Sequence, residues 1–104
     1  MPDTNDELLD VFKALANPKR LQIMVWLRDP EAHFSPQPDP MDEVGVCVKQ
    51  IQEKAGISQS TASQFMSVLQ RAGLVQSTRI GQWTYYRRND ARISGLPRLI
   101  NDTL

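Results

Sequence analysis

The most regular pattern of apolar and polar positions lies between residues 58 and 73. Its apolar side chains recur at steps of three and four: Ala62, Phe65, Met66, Leu69 and Ala72. This spacing puts them on one face of an α-helix. The Ser58 hydroxyl can cap the first turn, and Gly73 can adopt the left-handed conformation that ends a helix. The pattern therefore predicts a helix over residues 59–72 with one buried face.

The other face of this helix carries hydrogen-bonding groups and almost no charge. Its candidate contact residues are Gln59, Ser60, Thr61, Ser63, Gln64, Ser67 and Arg71. A solvated helix surface usually holds Glu, Lys and Arg, whereas a helix in the DNA major groove uses short polar side chains that reach base edges. The residue types favour a DNA-reading face over a merely solvated one.

Two runs rich in β-forming residues follow, at residues 74–80 and 83–88, separated by Gly81 and Gln82. A two-residue loop with glycine predicts a tight hairpin, or wing, over residues 74–88. The predicted register pairs Ile80 with Trp83, Thr78 with Tyr85, Gln76 with Arg87 and Ser77 with Tyr86. Which face of this hairpin packs inward stays open at this point.

Helical patterns also precede this region. Apolar residues mark one side of a helix over about residues 6–16, with Thr4 and Glu7 at capping-box spacing. Asn17 and Pro18 form a cap followed by a first helical residue, so a second helix should run to about residue 28.

A third short helix is predicted from Val48, Ile51 and Ala55 and ends at Gly56. A turn through Ile57 then leads directly into the polar-faced helix. Two helices joined by a short turn that contains glycine form a helix-turn-helix.

Residues 29–46 hold four of the seven prolines and several carboxylates. Since proline lacks an amide hydrogen and restricts the preceding residue, this segment is predicted to be a long, extended, acidic loop. Loops of this length are often functional, but a tolerated surface insertion is an equally open interpretation.

The tail, residues 90–103, has apolar residues at helical spacing, interrupted by Gly95 and Pro97. The interruption predicts a kinked or split helix. Apolar faces on this helix and on residues 6–16 would stay exposed in a monomer, so both are predicted to be dimerisation helices of a homodimer.

Length and composition fit one domain of 104 residues. No long apolar run and no secretory leader is visible, so we expect no membrane partner and a cytoplasmic location.

Net charge is zero, but residues 58–98 hold six arginines and one aspartate (net +5), whereas residues 1–57 have net charge −4. Such a molecule can turn its basic face to DNA phosphates. The sequence shows neither a paired general acid and base nor a glycine-rich phosphate-binding loop, so no enzymatic activity is predicted.

The basic hairpin supplies further candidate DNA contacts: Arg79, Gln82, Arg87 and Arg88. A wing beside a reading helix reaches the phosphate backbone and the minor groove. Arg87 and Arg88 could instead pair with carboxylates of the acidic half. Trp83 and Tyr85 are more typical of packing than of stacking on a ligand.

Cys47 is the single cysteine, so it forms no disulfide within the chain and no zinc site is predicted. It precedes the third helix, whose dipole and neighbouring Lys49 favour a thiolate, which makes it the effector or redox candidate. The alternative is an ordinary half-buried thiol. His33 and Cys47, with carboxylates Asp39, Asp42 and Glu43, offer a weaker metal-binding alternative that matches no motif. No cofactor is predicted.

Three segments together resemble the ArsR/SmtB family: ALANPKRLQI, SQSTASQFMSVLQRAGLV and IGQWTYYR. The resemblance covers nearly the whole chain. It implies a mainly α fold with a small β-hairpin, a winged helix-turn-helix in the order α-α-α-α-β-β-α. It also implies a homodimeric repressor that binds a double-stranded operator near its own gene and leaves when an effector, still unknown, binds. A winged-helix protein-interaction module without DNA binding is the alternative.

The chain departs from the family pattern at the metal sites. Metal-sensing members carry a Cys-Val-Cys pair, but here Cys47 is followed two positions later by Lys49. The tail also lacks the His residues that other members use. Phe65 stands where the family commonly has a histidine in the reading helix. Because this position lies on the predicted buried stripe, we expect base reading to be retained. The resemblance therefore implies DNA binding, and the departures from it imply that both usual metal sites are lost.

Overall fold

The computed structural model describes residues 4–104, with the Thr4 side chain outside the described part. The proposed capping box of Thr4 and Glu7 therefore lies outside the described residues. The elements, in order, are α1 (Thr4–Leu15), α2 (Pro18–Arg28), α3 (Pro30–His33), α4 (Met41–Val44), β1 (Val46–Cys47), α5 (Val48–Ala55), α6 (Gln59–Arg71), β2 (Val75–Ile80), β3 (Trp83–Arg88) and α7 (Asp90–Thr103).

Local chemistry explains where the main helices begin and end. The Asn17 side chain accepts hydrogen bonds from the amides of Lys19 and Arg20, both at 3.0 Å, and Pro18 is the first residue of α2. Ser58 caps α6 by accepting from the Thr61 amide at 3.1 Å. Gly56 ends α5 with a left-handed φ of 65°. The predicted bounds of α2 and α5 are confirmed, and those of α1 and α6 differ by one or two residues.

The two strands of the wing pair in the predicted register, including Ile80 with Trp83 and Thr78 with Tyr85. The sequence prediction missed β1, which pairs antiparallel with β3 and gives the strand order β1-β3-β2. Gly45 leads into β1 with φ +92°, where a Cβ would collide with the Tyr86 carbonyl. Only glycine lets the chain enter the sheet at this point.

The prediction that residues 29–46 form an extended loop was wrong for two stretches, α3 and α4. Each short helix starts at a proline, Pro30 at the first position and Pro40 at the N-cap. Proline is tolerated there because the first amides of a helix have no intrahelical partner. Phe34 and Met41 are buried in the core, so the segment is part of the domain rather than a surface insertion.

Of the two forms predicted for the tail, the split helix was wrong, because α7 runs unbroken through Gly95 and Pro97. A kink within the continuous helix stays a prediction. The proline removes one hydrogen bond, but Ile93 and Leu96 pack against the core and hold the helix in place. Asn89 caps α7 by accepting from the Arg92 amide at 3.3 Å.

The core joins α1, α2, α5, α6, β1 and the start of the hairpin. Its fully buried large side chains are Ile23, Ile51, Met66, Leu69, Leu74, Val11, Val46 and Val75. Of the predicted stripe on α6, Phe65 is only half-buried, and the Arg20 guanidinium lies 5.3 Å from its ring centroid. The buried stripe fixes which face of α6 points outward. No helix within residues 4–104 is long and apolar enough to cross a membrane.

Candidate nucleic-acid interface

The outward face of α6 presents the polar side chains expected from the sequence. Gln59, Ser60, Ser63, Gln64, Ser67 and Arg71 are all exposed. Thr61 differs, because its hydroxyl accepts from the Ser58 hydroxyl at 2.9 Å and is half-buried. Thr61 therefore supports the N-cap rather than projecting freely.

A cleft of about 610 Å³ lies between α5, α6 and the hairpin. It brings Gln59 and Ser63 of α6 together with Arg79 and Gln82 of the wing. Arg79 is held at the hairpin tip by a hydrogen bond from its Nε to the Gly81 carbonyl at 3.1 Å. The cleft thus combines uncharged hydrogen-bonding groups from the helix with a cation from the wing.

A side-chain contact sets the wing against the helix. The Gln70 amide nitrogen donates to the Ser77 hydroxyl at 3.1 Å, across from α6 to β2. Gly73, with φ +78°, ends α6 and allows the Leu74 amide to bond the Leu69 carbonyl at 3.0 Å. The hairpin therefore leaves α6 at a defined angle.

The remaining predicted arginines lie away from the cleft. Arg88, at the far end of β3, forms an ion pair with Asp90 at 2.6 Å, and Arg87 next to it is exposed. Arg71 lines a different depression together with Asp10 and Lys13. The structure therefore brings four of the eleven predicted residues into the cleft and leaves seven outside it, namely these three arginines and Ser60, Thr61, Gln64 and Ser67.

Among the cleft residues that the sequence analysis did not propose as contacts are two polar residues of α5, Lys49 and Gln52. Their i, i+3 spacing places them on one face of α5, whereas Ile51 and Ala55 are buried on another. That spacing was the available signal, but without the fold nothing showed that this face of α5 meets the wing.

The hairpin aromatics have different environments. Tyr85 is only 6% exposed and donates its hydroxyl to Asp39 Oδ2 at 2.8 Å, so its predicted packing role is confirmed. That hydrogen bond, and then burial, raise the pKa of Tyr85 above its ordinary value of 10.0. Burial also raises the pKa of Tyr86. Trp83 is 42% exposed at the hairpin tip, so packing does not account for it.

Cys47 is half-buried at the end of β1, and its amide donates to Gln37 Oε1 at 3.2 Å. His33 is exposed at the end of α3. Over the described part of the chain, no three His, Cys, Asp or Glu side chains are grouped to hold a metal ion. The structure therefore does not join His33 and Cys47 into a ligand set.

The helix-turn-helix of α5 and α6, the exposed polar face of α6 and the adjoining hairpin define a winged-helix domain of the DNA-binding class. Residues 45–77 match the model of bacterial regulatory proteins of the arsR family. The chain is 50% identical over 91 residues to the HTH-type transcriptional regulator YbzH of Bacillus subtilis, covering 86% of this chain and 91% of that protein.

A second relative is the arsenical resistance operon repressor of Bacillus subtilis, 33% identical over 92% of this chain and 83% of that protein. Among solved structures, the homodimeric winged helix-turn-helix DNA-binding domain Mb0332 from Mycobacterium bovis aligns with a TM-score of 0.64. It is 33% identical and covers 93% of this chain and 80% of that one. The chain therefore belongs to the arsR family of bacterial transcriptional regulators.

Proposed function

We propose that the protein is a homodimeric repressor that binds a specific double-stranded DNA operator and is released by an effector. One observation carries the proposal. The same cleft holds Gln59 and Ser63 of the exposed helix α6 and Arg79 and Gln82 of the wing. A recognition helix in the major groove and a wing on the neighbouring backbone require this arrangement.

The roles follow from side-chain chemistry. Gln64, with the exposed hydroxyls of Ser60, Ser63 and Ser67, reads base edges, since an amide can bind adenine through two hydrogen bonds. Arg79 and Gln82 bind phosphate or enter the minor groove. Arg71, Arg87 and Arg88 contribute positive potential near the DNA rather than contacts inside the cleft.

The dimer would form through α1 and α7. Leu9 is 49% and Phe12 44% exposed on α1, which is costly for a monomer in water. The structural relative from Mycobacterium bovis is a homodimer, which supports the same assembly here. Two reading helices related by a two-fold axis then meet an imperfect palindrome with half-sites about 10 to 10.5 base pairs apart.

Repression is supported by the relative that represses the arsenical resistance operon. The effector site with the best support is Cys47, because it is half-buried and its backbone pairs with that of Tyr85 between β1 and β3. An adduct on the Cys47 thiol would disturb this pairing and shift the wing. The proposal places the protein in the cytoplasm, with the DNA that it binds.

Fluorescence anisotropy tests the proposal by measuring binding to the DNA upstream of the protein's own gene, called the upstream duplex, and to a scrambled duplex. Salt is titrated, and the thiol is kept reduced. Selective binding that weakens steeply with salt is expected. Arg79→Ala should weaken binding, whereas Arg28→Ala, which removes an exposed arginine of α2 outside the cleft, should not. Absence of binding to both duplexes at low salt would overturn DNA binding in favour of a protein-interaction module.

A further inference from the structure

The third wall of the cleft is formed by α5, and the proposed function does not use it. Lys49 lies on this wall and is exposed, with Gln52 one turn further along. Ile51 is fully buried and Ala55 nearly so, which fixes the rotation of α5 about its axis. The base of the Lys49 side chain is therefore held at the cleft and does not depend on a mobile loop.

The ammonium group of Lys49 has no acidic partner within the described residues. The ion pairs found there involve Arg88, Arg92 and Arg98. Among the described residues that line the cleft there is no Asp or Glu, and the charged side chains are Lys49 and Arg79. Two cations that face the same concave space without a carboxylate concentrate positive potential and attract an anion.

We propose that Lys49 binds a backbone phosphate of the DNA, so that α5 forms a third contact beside α6 and the wing. The inference rests on the proposed function. The ligand chemistry is a phosphodiester, because a flexible ammonium gives a point charge without a fixed hydrogen-bonding geometry. In a helix-turn-helix the helix before the reading helix crosses the backbone, which is where such a contact is needed.

The same helix offers a matched control. Lys54 carries the same charge on α5, but its Nζ lies 5.1 Å from the Trp26 ring centroid and 6.0 Å from that of Phe34. It does not line the cleft. Removing its charge changes the net charge of the protein as much as removing that of Lys49.

The test compares wild type, Lys49→Gln, Lys49→Arg and Lys54→Gln on the upstream and scrambled duplexes over a range of salt concentrations. Because each dimer carries two copies of Lys49, Lys49→Gln should reduce the slope of log affinity of the dimer against log salt by about two, and weaken binding about sixtyfold at 0.1 M salt. The factor should be equal on both duplexes, since a phosphate contact carries no sequence information. Lys49→Arg and Lys54→Gln should keep the wild-type slope.

Lys49→Gln with wild-type slope and affinity would overturn the assignment while leaving the proposed function intact. A loss confined to the upstream duplex, or an equal loss in Lys54→Gln, would also overturn it. If the wild-type protein binds neither duplex, the proposed function is overturned, and the Lys49 assignment is overturned with it. Thermal unfolding of each variant confirms that exposed Lys49 was replaced without loss of the fold.

Discussion

Tyr85 in the middle of β3 donates a hydrogen bond of 2.8 Å to Asp39 in the segment between α3 and α4. The wing is thereby tied to residues that are 46 positions earlier in the chain. Gln37 reinforces the connection, since its side chain donates to the Gly45 carbonyl at 2.7 Å and accepts from the Cys47 amide. The proline-rich segment therefore supports the sheet from which the wing extends.

The first prediction concerns pH. Because the folded-state pKa of Tyr85 is raised, its stabilising contribution is complete below the unfolded-state value near 10.0 and is lost as pH rises through the folded-state value. Wild type should lose more unfolding free energy between pH 8 and pH 11 than Tyr85→Phe does. Urea denaturation at several pH values measures this, and identical losses in both proteins would refute it.

The second prediction concerns base reading by Gln64. Gln64→Ala should weaken binding to the upstream duplex by about 1–3 kcal/mol and leave binding to the scrambled duplex unchanged. Gln22→Ala, an exposed glutamine on α2, is the control and should have no effect. Anisotropy titrations at one salt concentration suffice, and equal losses of Gln64→Ala on both duplexes would rule out base reading.

The third prediction uses two glycines in opposite environments. Gly45→Ala should lower the unfolding free energy by more than about 1 kcal/mol, because the new methyl group meets the Tyr86 carbonyl and φ is +92°. Gly95→Ala should raise it by about 0.5–1 kcal/mol, since this helical position is open. Chemical denaturation of both variants should give opposite signs; a stable Gly45→Ala variant would contradict the sheet geometry.

The fourth prediction tests the dimer through Phe12, an exposed aromatic residue of α1. Phe12→Glu should convert the protein to a monomer and weaken operator binding more than tenfold, because charge is depleted from the core of stable interfaces. Gln22→Glu adds the same negative charge on α2, outside the proposed dimerisation helices, and should remain dimeric. Sedimentation velocity gives the oligomeric state, and a dimeric Phe12→Glu variant would place the interface elsewhere.

Sequence patterns predicted the structural features that depend on residues close together in the chain. The caps at Asn17 and Ser58, the glycine stops and the hairpin register all follow from local hydrogen bonding and turn geometry. The buried stripe of α6 followed from helical spacing, with Phe65 less buried than expected. These features are encoded within a few residues of one another, so periodicity and turn chemistry suffice to find them.

Features that depend on distant contacts were not predictable. β1 is two residues long and exists because β3 offers a free edge to Val46 and Cys47. The continuity of α7 depends on Ile93 and Leu96 finding the core, which outweighs the local effect of Pro97. The place of Lys49 in the cleft likewise needs α5, α6 and the wing to be assembled. In each case tertiary contacts overrode or extended the local signal.

The central claim is that the cleft between α5, α6 and the wing is the DNA-binding surface. Titrating isotopically labelled protein with the upstream duplex, and following backbone amide resonances by NMR, tests it most directly. The account predicts the largest shifts at Lys49, over residues 59–67 and over residues 79–84. Shifts confined to α1, α2 and the proline-rich segment, with the cleft unchanged, would contradict it.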